Sequence, residues 1–358
     1  MRKNVKQQLA LRVLSTAALM AMVSSIATAA FAEEYDLNKG SVTVETKDNG
    51  NTYVTQANTE TTDHLDTTGV TITSNGEQTS NTITVNTAEN QTTNVTLENV
   101  HIESSSAWSS DPAPIEIKGN GNTNLELNGN NIVLSGNSEH AGIEKADKYG
   151  TGTLTIKDNV NNDGKLLAGG FDNSAGIGGG GTHDTARTSN ITITGGDITA
   201  VGGYYGAGVG SGNGGDASNI RIEGNAHVTA FADDGAAIGA GYGGSSDVTI
   251  TGHANVDAAG RCGAAIGLGN LGYQTTITIS GDATVNAEGV DGTGAIGSGR
   301  NSGSKVTVNI KDNANVTAIA DGVAIGNNSG WSSSSTTINI TGGTVDAVAH
   351  CFNSKPAI

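Results

Sequence analysis

The chain has 358 residues, with 35 acidic against 18 basic side chains and a formal net charge of −17. Such an acid excess excludes a nucleic-acid binder, which needs a basic footprint, and suits calcium, basic partners and solubility. Low hydrophobicity with high charge can also signal disorder, but the apolar residues recur at a fixed period, which argues for a fold.

Residues 1–32 read as a signal peptide. Arg2, Lys3, Lys6 and Arg12 precede an apolar centre, and Ala30, Phe31 and Ala32 form a small-x-small cleavage site before Glu33. Loss of those four basic residues, with no acidic one, takes the charge from −17 to −21. No later apolar stretch is long enough to span a bilayer. The expectation is a secreted, extracellular protein without membrane insertion, retained at the cell surface, if at all, through association with other surface proteins.

Residues 33–95 read as N-terminal irregular or capping coils, and residues 96–358 as repeats. The branched residue of a recurring glycine-rich motif supplies the marker: Ile143, Ile177, Val209, Ile238, Ile266, Ile296 and Ile325, at steps of 34, 32, 29, 28, 30 and 29. Two alternating segments keep step with it. One ends at Ile156, Ile193, Ile222, Ile250, Ile279, Ile310 and Ile340, and extends upstream through Leu127 and Leu97. The other runs through Leu166, Ile198, Val228, Val256, Val285, Val316 and Val345. Period-two alternation, punctuated by Gly, Asn, Asp and Ser, reads as three strands and three corners per repeat.

A unit of about thirty residues cannot bury its own apolar face, so stacked copies complete the core. The fold class is therefore all-β, a right-handed parallel β-helix (solenoid) of three strands and about 30 residues per turn, over roughly nine turns. An antiparallel sandwich does not suit the fixed three-part order.

Equivalent positions in successive turns form columns. Pleating should turn the residues beside each marker outward, for example Gly176 and Gly178, or Ala265 and Gly267. That gives a nearly bare face, serving either a tight corner or a flat platform for a long ligand. The aromatic residues available for stacking on sugars are Trp108, Tyr204, Tyr205, Tyr242, Tyr273 and Trp331, with His183 beside them. Asp282 with Asp312, and Asp291 with Asp321, fall at matching places in adjacent turns, close enough to share Ca²⁺; solvated turn residues are the alternative. Outward threonines Thr155, Thr192, Thr249 and Thr278 follow from β-propensity. Cys262 and Cys351 fall three turns apart, about 14 Å, so no bridge joins them. His183, Asp184 and Arg187 share one loop, but no carboxylate pair comes with a basic cluster in register, so no catalytic residue is assigned.

The segments "HAGIE", "GTLTIKDN", "AGIGGGG" and "ITITGG", after an opening "YDLNKGSVTV", resemble a group of secreted bacterial repeat proteins usually labelled carbohydrate-binding-domain-containing. The similarity covers about residues 34 to 350. It implies a right-handed β-helix of the pectate-lyase-like type and non-catalytic polysaccharide binding, with calcium and acidic or β-linked glucans for one branch. The reading is a secreted or cell-surface polysaccharide-binding protein that is not an enzyme. The alternatives are an adhesin or structural surface repeat and, third, a polysaccharide lyase or glycoside hydrolase.

Overall fold

The structure is a computed structural model that describes residues 32–104, 112–158, 163–181, 184–302, 304–328, 334–350 and 357–358. The signal peptide, apart from Ala32, lies outside these residues, as do Trp108, His183, Trp331 and Cys351. Among the described residues no helix is long and apolar enough to cross a membrane.

The chain forms a β-solenoid bounded by three sheets of 11, 10 and 12 strands, here sheets 1, 2 and 3 in the order each turn visits them. Sheet 1 stacks Ile156, Ile193, Ile222, Ile250, Ile279, Ile310 and Ile340 as direct partners. Sheet 2 stacks Leu166, Ile198, Val228, Val256, Val285, Val316 and Val345. Sheet 3 stacks the seven markers from Ile143 to Ile325. All three ladders expected from the sequence are therefore present. One upstream partner differs: Ile156 pairs with Leu125, while Leu127 pairs with Leu97. The slip is two residues, so the inward face is conserved.

Alternation explains the core. In "NVDAAG" (Asn255–Gly260), Val256 and Ala258 point inward and are buried, while Asn255 and Asp257 face out. Sheet 2 thus supplies one column of branched residues and one of alanines: Ala168, Ala200, Ala230, Ala258, Ala287 and Ala318. The small column leaves room for the isoleucines of sheets 1 and 3 to meet across the interior. Each fully buried aliphatic side chain contributes about 1.5–3 kcal/mol.

The parallel register runs upstream of residue 96. Val42–Thr46 pairs in parallel with Ile83–Thr87 and antiparallel with Thr52–Gln56, which pairs in turn with His64–Asp66. At the other end the Ile325 N–H donates to the Ala357 carbonyl at 3.0 Å, so the tail returns to the last strand of sheet 3.

The glycine-rich corner departs from the expected bare face. The residues flanking each marker are buried, Ala237, Ala265, Ala295 and Ala324 completely. Alternation assumes extended backbone, but sheet 3 strands here are only two residues long and turn at once. The Ala236 N–H closes on the Ala240 carbonyl at 2.8 Å, and the Ala264 N–H on the Leu268 carbonyl at 2.9 Å. The following glycine carries a positive φ, +135° at Gly239 and +128° at Gly267. A Cβ at Gly239 would sit 2.1 Å from the Gly267 carbonyl oxygen. Conformation and close backbone approach both demand glycine there, and no ligand platform results.

Candidate ligand-binding groove

One accessible concave surface lies on the outer face of sheet 2; a larger hollow of about 530 Å³ lies at the corner between sheets 1 and 2, lined by Asp158, Lys165, Asp197 and His227 among others. The third outward column stacks Val201, Phe231, Ala259, Glu288 and Ile319 as direct partners across five strands. Beside it runs Thr199, Thr229, Asp257, Asn286 and Thr317. Because Ala259 has almost no side chain, the column dips after Phe231. Two adjoining hollows of about 330 and 360 Å³ share Phe231 and Ala259. Phe231 is 44% exposed, so its ring is a wall of the groove and not core.

One end of the groove is organised by Arg261. Its Nε donates to Asp291 at 2.9 Å and its Nη1 to both oxygens of Asp233, at 2.9 and 3.2 Å. Hydrogen bonding to Asp291 and then to Asp233 raises the guanidinium pKa further. Asp233, Asp234 and Cys262 bring one ligand atom each within 4.8 Å of one another. Asp233 is engaged by Arg261, and burial, then the hydrogen bond to Asp234, pushes the Cys262 thiol up. A protonated thiol is a poor metal ligand.

Of the aromatic residues expected from sequence, three meet here. Tyr204 and Tyr205 lie edge to face at 4.6 Å, and Tyr205 and Tyr242 at 5.3 Å. Backbone bonds hold the cluster beside the acidic corner: Asp234 N–H to the Tyr204 carbonyl, and Tyr242 N–H to the Tyr205 carbonyl, each 2.9 Å. The carboxylates of Asp234, then Asp233, raise the Tyr204 phenol. Tyr273, 66% exposed, stands apart from this cluster. Trp108, His183 and Trp331 lie outside the described residues.

The four aspartates expected for calcium take separate partners. Asp312 accepts from the Gly281 N–H at 3.1 Å, and Asp282 from the Asn313 amide at 2.9 Å with His253 at 3.5 Å. Asp321 accepts from the Asp291 N–H at 3.1 Å, and the Asp291 carboxylate turns to Arg261. In the loop that carries His183, Asp184 pairs with Lys148 and Arg187 with Asp216.

Sequence reasoning missed Phe231, Val201, Asp233, Asp234 and Arg261. The available signal was the outward position one past the inward alanine of sheet 2, read as a column. It also missed a buried ionic cluster on sheet 3. Glu144 is fully buried, and its Oε2 accepts from the Ala141 N–H at 3.1 Å and faces His140 Nδ1 at 2.8 Å. Among the described residues its buried Oε1 has no hydrogen-bond partner. Burial raises the Glu144 carboxyl against the pull of His140. Burial is the largest influence on His140 and opposes its charge, but the Glu144 hydrogen bond together with the charges of Glu144, Glu116 and Glu139 outweighs it and the ring's pKa is raised. Next along, Lys145 is buried, which lowers its pKa, and its Nζ donates to the Gly150 carbonyl at 3.0 Å.

A family model described as a beta helix repeat matches residues 191–213, 248–270 and 277–300. These windows carry strands of all three sheets from three turns, and the chain is a β-helix repeat protein in architecture. No curated protein matches the chain, and no solved structure does.

Proposed function

We propose that the chain is a secreted, cell-surface, non-catalytic polysaccharide-binding β-helix, and that the ligand lies along the groove of sheet 2. The observation that carries this reading is Phe231, an exposed ring set in an extended groove of outward threonine, asparagine and carboxylate side chains. Aromatic faces bind the apolar faces of sugars, while neighbouring polar groups take the hydroxyls.

A non-catalytic role is supported by the placement of the ionisable groups. A general acid for glycoside cleavage needs a carboxyl held up by its surroundings. Among the described residues the carboxyl held up by burial is Glu144, which lines none of the three hollows. The test is glycan-array and pull-down binding, with and without calcium, comparing the wild type with Phe231→Ala. Binding lost in the variant supports the reading; no binding by the wild type to any acidic, neutral or amino-sugar glycan overturns it. Product release from pectin or β-glucan would favour an enzyme instead.

A second reading, a stiff adhesin or structural repeat, is favoured by the unbroken ladders of all three sheets. It requires that Phe231→Ala leave adhesion intact.

A further inference from the structure

The charges along the groove of sheet 2 restrict what it can hold. Its two hollows are lined by Asp233, Asp257 and Glu288 against a single cation, Arg261. That cation is already shared between Asp233 and Asp291. Asp257 accepts from the Asn286 amide at 2.8 Å and faces His227 at 3.5 Å. Glu288 differs from the others: it is exposed, and among the described residues no hydrogen bond or ion pair engages its carboxylate. It sits one strand on from Ala259, diagonal to Asp257, on the far side of the dip from Phe231. The groove therefore combines an aromatic wall with an uncompensated carboxylate, inside a protein of net charge −17.

We infer that this groove takes a glycan bearing protonated amino groups, a partly de-N-acetylated amino-sugar polymer, and rejects polyuronates. The inference rests on the polysaccharide-binding reading and adds the ligand's charge. A sugar ring packed on Phe231 brings an adjacent ammonium to the Glu288 carboxylate, with Asp257 one strand away. Such a charge-assisted hydrogen bond is stronger than a neutral one. A galacturonate chain in the same place would set its carboxylates against Glu288 and Asp257, and like charges suppress the wrong partner. Arg261 cannot relieve this without leaving its two aspartates.

The test is calorimetric titration of the full mature chain, in about 0.15 M salt to suppress general attraction to an acidic protein. The probes are a glucosamine oligomer, its fully N-acetylated counterpart and a galacturonate oligomer of equal length. The expected result is at least tenfold tighter binding of the glucosamine oligomer than of the acetylated one, with no saturable binding of galacturonate. Glu288→Gln combined with Asp257→Asn should bring the two amino-sugar oligomers within twofold. Asp48→Asn, which removes a charge far from the groove, should change neither. Equal binding of the free and acetylated oligomers, or tighter binding of galacturonate, overturns the inference and leaves the polysaccharide reading standing. No binding of any of the three, nor of any glycan on the array, overturns both.

Discussion

Glu144 stands in register with Gly178, and from Gly178 onward the same column holds Gly210, Gly239, Gly267, Gly297 and Gly326. One buried carboxylate therefore takes the place that glycine fills in six later turns. Its neighbour on the other side is Glu116, also buried and paired with Lys118 at 2.7 Å. Two glutamates stacked in adjacent turns make ionisation of the second costly, which adds to the burial that raises Glu144.

The first prediction concerns pH. Folding raises both Glu144 and His140 from their ordinary values of 4.5 and 6.5. The folded cluster thus holds protons more tightly than the unfolded chain. Its contribution is complete below those ordinary values and is lost as pH rises through the higher folded ones. Urea midpoints should fall for the wild type, relative to Glu144→Gln, as pH rises above 4.5 and on past 6.5. Parallel curves for the two proteins would remove the cluster from the pH response.

A second prediction separates two glycines with positive φ. Gly239 (+135°) has a carbonyl oxygen 2.1 Å from where a Cβ would lie, whereas Gly243 (+73°) has nothing within 4 Å. Gly243→Ala should cost about 1 kcal/mol, the penalty of a left-handed conformation alone. Gly239→Ala should cost at least about 3 kcal/mol, since backbone must also move. Equal costs in urea unfolding would mean that the corner relaxes freely.

The core ladder makes a third. Ile266 is fully buried between Ile238 and Ile296. Ile266→Ala should destabilise by about 2–5 kcal/mol, the range for a large-to-small change in a packed core. The exposed Phe231→Ala should stay within about 0.5 kcal/mol of the wild type. A thermal scan of both variants checks the contrast.

Much of this was legible from one sequence because repetition does the work of an alignment. The three ladders follow from spacing alone, since each inward isoleucine or valine must meet its counterpart one turn on. The Leu125 and Leu127 choice was not legible, because two inward leucines in "NLELNG" satisfy the same face. The corner was misread as outward for a physical reason: alternation holds only where φ stays extended, and the marker strands turn after two residues. Tyr204, Tyr205 and Tyr242 were found as aromatic residues, but their meeting depends on loop backbone bonds that no offset from a marker encodes. Phe231 was hidden because its segment was read for its inward column only. Glu144 was hidden because its burial comes from the chain around it, with Gly180 packed against its Oε2.

The central claim is that ligand binds on the outer face of sheet 2 and not along a row of loop aromatic residues. Binding isotherms for the wild type, Phe231→Ala and Tyr273→Ala, against a glycan that the wild type binds, test it most directly. Both side chains are exposed, so neither substitution should disturb the fold. The groove predicts a loss of roughly tenfold in affinity for Phe231→Ala, about 1.4 kcal/mol, and no change for Tyr273→Ala. Unchanged affinity in Phe231→Ala, with the loss appearing in Tyr273→Ala, would contradict it.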